Sequence, residues 1–155
     1  MECTTQPLIH DRFRAVIEAT TPIYSYLQDV PWAYVEELQG EVSGPALRRF
    51  TFDFTVAEPV AEGLFSMGEE YAFQLDINVA YGALPREHAP WLVTQDSVDL
   101  RTVLEAQLSP TLTGLLSVRR TTFEPLSDES GHWYGRHIFD IHYMHNTTLT
   151  AIPNI

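Results

Sequence analysis

The chain has 155 residues, 45% of them hydrophobic and 12% aromatic, with a formal net charge of -12. This length and composition predict one folded domain and exclude a disordered chain, and no apolar run approaches the ~20 residues that a membrane-spanning helix needs. All 9 basic residues are arginine. That excludes a phosphate-loop lysine, a Schiff-base lysine and a lysine general base, and the acidic balance argues against gripping a phosphate backbone.

The single cysteine, Cys3, leaves no intrachain disulfide and no four-cysteine zinc site. The opening MECTTQPLIHDRF lacks the basic-then-apolar order of a secretory signal, so synthesis in a cytosol is expected.

In chain order, the first helix is expected over residues 9–19. Ile9, Phe13, Val16 and Ile17 share one side, and Thr20, Thr21 and Pro22 stop it. Residues 22–47 are rich in aromatics and broken by Pro22, Pro31, Gly40, Gly44 and Pro45, which suggests a loop, a short strand near 32–38 and a turn. RRFTFDFTV then alternates strictly: Phe50, Phe52, Phe54 and Val56 against Thr51, Asp53 and Thr55. A second alternating run, YAFQLDINVAY, covers residues 71–81. Between the two lies AEPVAEGLFSMGEE, residues 57–70, too long for a tight turn and read as a projecting acidic loop.

A second helix is expected over 97–109, with Asp96 as N-cap and Leu100, Val103, Leu104 and Leu108 as its apolar stripe. Strands at 115–126 and 132–145 follow, joined by the turn cluster Ser127 to Gly131, so they should pair as a hairpin. The expected architecture is a single α+β domain, residues 1–155: an antiparallel sheet of four or five strands with two helices packed on one face. Residues 1–8 and 146–155 are expected as terminal tails. The uncovered face of the long strands reads as polar but not highly charged, free to line a surface or a pore.

No catalytic signature emerges. His137, His142 and His145 lie near Asp140 on the last strand, but residues two apart share a face, so Asp140 and His142 converge while His137 points the opposite way. There is no HExxH and no GxSxG motif, and the glycines are too scattered for a dinucleotide fingerprint. Neither a metal nor a cofactor is expected. The pairs Glu69-Glu70 and Asp128-Glu129 fall in expected loops, where neighbouring carboxylates are solvated. Arg48, Arg49, Arg119 and Arg120 are paired cations on expected strands, suited to subunit joints or to blocking edge aggregation.

RFRAVIEA, RRFTFDFTV, YAFQLDINVAYG, SVDLRTVLEAQL and GHWYGRHIFDIHYMH, spread over residues 9–146, give a layout that resembles the tail terminator proteins of long-tailed bacteriophages and the tail-completion proteins of gene transfer agents. The resemblance is one of element order rather than of a signature motif. It implies a virion protein assembled in the host cytoplasm: a hexameric ring that ends tail-tube polymerisation, joins tail to head at the neck and lets DNA pass through its channel. Its partners would be copies of itself, the tail-tube protein and neck or connector proteins, with no membrane and no specific DNA binding. The family has no catalytic residues to carry over. Glu58, Glu62, Glu69 and Glu70 of the projecting loop are the expected partner contacts or lumen charges, and the arginine pairs the expected subunit joints.

Three alternatives stay open: a head-completion or connector protein of the same neck, a ligand-binding or enzymatic domain with a pocket lined by His137, Asp140, His142 and tyrosines, and an adaptor recruiting a peptide to a sheet edge.

Overall fold

The computed structural model describes residues 3–38, 48–60 and 69–145. Helix α1 spans Gln6–Glu18, with Pro7 in its first turn and Ile9, Phe13 and Ile17 fully buried. Four-residue spacing stacks these three on one side, each worth about 1.5–3 kcal/mol when removed from water. The helix starts three residues ahead of the first apolar residue of its stripe, because proline at the start of a helix loses no hydrogen bond.

Residues 3–8 are therefore not a tail. Thr4 N donates to Met144 O at 2.8 Å, and Thr4 forms an isolated parallel bridge with His145. Gly114 makes this docking possible. Its φ is +88°, and a Cβ there would lie 2.8 Å from backbone atoms of Cys3 and Thr4.

The strands are β1 (Trp32–Tyr34), β2 (Arg48–Phe54), β3 (Glu58–Pro59), β4 (Glu69–Ala83), β5 (Leu115–Ser127) and β6 (His132–His145). They form one six-stranded sheet in the order β1-β2-β4-β6-β5, with β3 also on β4. The α+β class stands, but the sheet is mixed, since β1 runs parallel to β2. The other pairings are antiparallel.

Of the stretch read as a projecting loop, residues 61–68 lie outside the described residues. Glu58 and Pro59 pair with Ala72 and Tyr71, and Val60 N donates to Glu70 O, so both ends of that stretch continue the hairpin. At the β5–β6 turn, Asp128 accepts from the backbone N–H groups of Ser130 and His132, with Gly131 at φ +83°. Those hydrogen bonds hold the Asp128 carboxyl below the usual carboxylate range.

Helix α2 spans Ala89–Glu105, with Pro90 in its first turn. This overturns the expectation of a helix capped by Asp96. Asp96 lies two turns inside the helix, and its side chain is fully buried. It meets Arg48, also fully buried, with Arg48 Nε donating to Asp96 Oδ2 at 2.7 Å. Arg48 Nη1 donates to Leu27 O and Val30 O at 2.6 and 2.7 Å. Leu27 has φ +62°, a conformation unfavourable for a branched residue, which these bonds help to hold.

One guanidinium thus ties the first long strand, the 22–31 segment and helix α2 together. Burial raises the Asp96 carboxyl to about 6, against the pull of Arg48. The Tyr81 hydroxyl is buried against the Asp96 carboxylate and adds a second polar contact that favours its ionised form. Burial and the nearby carboxylate keep the Tyr81 phenol protonated well above its ordinary range.

Breaking a buried pair leaves one charge uncompensated, so Asp96→Leu and Arg48→Met should each cost about 3–5 kcal/mol in urea unfolding. The double variant should recover part of that loss, because no lone charge remains; additive losses would contradict the pairing. Gly114→Ala should lower the unfolding midpoint through backbone strain and loss of N-terminal docking, seen as faster amide exchange at Thr4 and Met144.

Candidate functional site

Alternation gives the sheet two unlike sides. Phe50, Phe52, Leu75, Ile77, Val79, Phe139 and Ile141 are buried in the core beneath both helices. The opposite side meets neither helix. Across it, Thr51, Asn78, Arg136 and Glu124 stand in register, as do Asp53, Asp76, Ile138 and Thr122, and then Gln74, Asp140 and Arg119. The expectation of a polar but weakly charged face is corrected: Asp53, Asp76, Glu124 and Asp140 all share it with Arg49, Arg119 and Arg136. Sequence alternation located those residues but gave no measure of charge per face until the register was known.

The described part of this face holds two hollows. One, of about 460 Å³, is lined by Glu36, Glu37, Leu38, Thr51, Asp53, Asn78, Leu126, Tyr134 and Arg136. Arg136 is committed within it: its Nε and Nη2 each lie 2.9 Å from Asp76 Oδ2, with Glu124 3.9 Å away. The second, of about 400 Å³, is lined by Thr55, Val56, Glu58, Ala72, Gln74, Asp140 and His142. His142 Nδ1 lies 3.1 Å from Glu70 Oε2. Sequence reasoning singled out Asp140 and His142 but missed Glu36, Asp53, Asp76, Tyr134 and Arg136. Cross-strand register was the missing information, because these residues come from four separated segments.

The strand arginines divide by the same alternation. Adjacent residues on a strand point to opposite sides, so each pair puts one cation into the core side and one on the open side. Arg48 is buried against Asp96. Arg120 donates to Ser97 O at 3.2 Å and to Ser97 Oγ, with its guanidinium 5.7 Å from the Phe123 ring centroid. Full burial of Arg48 corrects the expectation that it serves a subunit joint, while Arg120 is half-buried and already engaged within the chain. Arg49 is half-buried on the open side, and Arg119 is exposed there.

Of the four glutamates, Glu58 is exposed on β3 and Glu70 pairs with His142. Glu69 lies on β4, with its side chain outside the described residues, and Glu62 lies outside them altogether.

His137 faces the core and not the open side, so it does not share a pocket with Asp140 and His142. It is fully buried and stacked on Phe123 at 5.1 Å, and neither ring nitrogen has a hydrogen-bond partner among the described residues. Gly135 leaves room for it, since a Cβ there would come within 3.0 Å of His137 Nε2. Burial, aided by Arg120, lowers the imidazole from 6.5 to about 3. Among the described residues, no group of three His, Cys, Asp or Glu side chains is placed to hold a metal ion. Among the described residues, no helix is long and apolar enough to cross a membrane.

Comparison with protein-family models and with curated protein sequences gives no match to either.

His137 makes stability depend on pH. In the unfolded chain it takes up a proton as the pH falls through 6.5; in the fold it resists until about 3. Its contribution is therefore full above the unfolded value and declines below it. Going from about pH 7 to about pH 5 should cost about 2 kcal/mol from this group. His137→Leu should flatten that part of the stability profile in urea titrations at each pH. An unchanged slope would mean the folded imidazole titrates normally.

Proposed function

We propose that the chain is a structural virion protein of a tailed bacteriophage, a tail terminator. As a hexameric ring it would end the tail tube, join it to the head and pass DNA through its channel. The observation that carries this reading is the one-sided sheet: both helices lie on one face, and the other presents an extended charged surface to other macromolecules. The β2–β4 pairing, resumed at β3 after a break over residues 55–57, leads into the acidic segment 57–70 and supports contact with a neighbour there. The net charge of -12 suits a conduit, because like charge keeps DNA from adhering.

In this reading Arg49 and Arg119 remain the cations open to subunit joints. Glu58, Glu62, Glu69 and Glu70 serve as lumen charges or as contacts with the tail tube. A head-completion or connector protein of the same neck shares these features and differs in the partner it meets.

The purified protein should form a closed ring of about six subunits in light scattering and negative-stain images, or seat as a ring on the ends of tail tubes mixed with it. A monomer that leaves the tubes uncapped would contradict the proposal. Rings that bind portal-side proteins but not tubes would favour the connector reading.

A further inference from the structure

We infer that the larger hollow on the uncovered sheet face is a docking site for an arginine side chain carried by an extended segment of a partner protein. Three observations converge there. The hollow, of about 460 Å³, has a volume that suits a side chain with its flanking backbone, and Tyr134 and Leu126 give it an apolar wall. Leu126 is 48% exposed, so part of that wall lies open to water.

The second observation is charge. Arg136 is the hollow's own cation, and it is held by Asp76 through two contacts of 2.9 Å. The rim carboxylates Glu36 and Asp53 remain in excess over it, both on exposed residues. A hollow of this sign repels phosphate and attracts cations.

The third is a like-charge pair at the hollow's edge. Asp53 and Asp76 stand directly opposite each other on neighbouring strands. Like charges so placed oppose the pairing unless a cation sits between them. Arg136 takes Asp76 Oδ2, while Asp76 Oδ1 is buried with no hydrogen-bond partner among the described residues.

A guanidinium meets all three conditions. Its planar fork offers five donors, enough to serve the exposed Asp53 carboxylate and ease its conflict with Asp76, and its flat face stacks on a tyrosine ring. An ammonium group has neither the fork nor the plane. Docking would use the sheet face rather than its edge, so it makes no demand on strand pairing. This inference does not rest on the ring reading: a tail protein, a connector or an adaptor would each supply such a segment.

The test is calorimetric titration of the full chain with a capped Gly-Arg-Gly-Arg-Gly peptide and with its lysine counterpart, at low salt. The arginine peptide should bind, and the lysine peptide should bind more weakly. Asp53→Asn and Glu36→Gln each remove one exposed charge and should weaken binding by about tenfold. Tyr134→Leu should narrow the arginine-over-lysine preference. Asp11→Asn and Glu87→Gln are charge-matched controls at side chains 79% and 80% exposed, and they should leave binding within about twofold. Absence of binding, equal affinity for the two peptides, or equal weakening by the controls would each overturn the assignment.

Discussion

The Arg48–Asp96 pair is the constraint on which the rest of the architecture depends. Two full charges lie with no solvent exposure, 2.7 Å apart. Such a pair is tolerated where further hydrogen bonds offset the cost of burial, and here two carbonyls of the 22–31 segment accept from the same guanidinium. Because Asp96 sits mid-helix and Arg48 opens a strand, the pair fixes where α2 lies against the sheet. With α1 beside it, the helix layer is confined to one face. The opposite face is then left to water or to partners.

That asymmetry explains how the polar groups are distributed. On the covered side, His137 is buried in the core and stacked on Phe123, and half-buried Arg120 is held by Ser97. On the open side, carboxylates face one another across strands and around two hollows. A sheet face that only needed to be wet would be served by threonine and serine with scattered charges. Asp53 opposite Asp76 is only partly relieved by Arg136, which is held on Asp76, and such a local conflict suggests that a surface is shaped for something it binds.

The strands were legible because alternation is a local signal. Phe50, Phe52 and the Leu75-Ile77-Val79 series declare their buried side without help from the rest of the chain. The start of α2 was not legible. An aspartate ahead of an apolar stripe reads as a cap, and only a cation 48 residues away in sequence makes it a core residue. Pro90, followed by Leu92 and Val93, was the overlooked local signal for an earlier start. Within each arginine doublet, alternation sends the two side chains to opposite faces, so neighbours in sequence have different surroundings. The parallel pairing of β1, only three residues long, had no signature in its own sequence. The open-face hollow was equally hidden, since its walls come from β2, β4, the final hairpin and the segment after β1.

The central claim is that the uncovered sheet face is the working surface. Hydroxyl-radical footprinting, comparing the free chain with the chain in its native assembly, tests it most directly. Tyr134 and Leu126 report on the open face, and Trp91, 67% exposed on α2, reports on the helix layer. The account predicts that labelling of Tyr134 and Leu126 falls in the assembly by more than that of Trp91. Strong protection of Trp91 with Tyr134 and Leu126 unchanged would contradict it and move the functional surface to the helices.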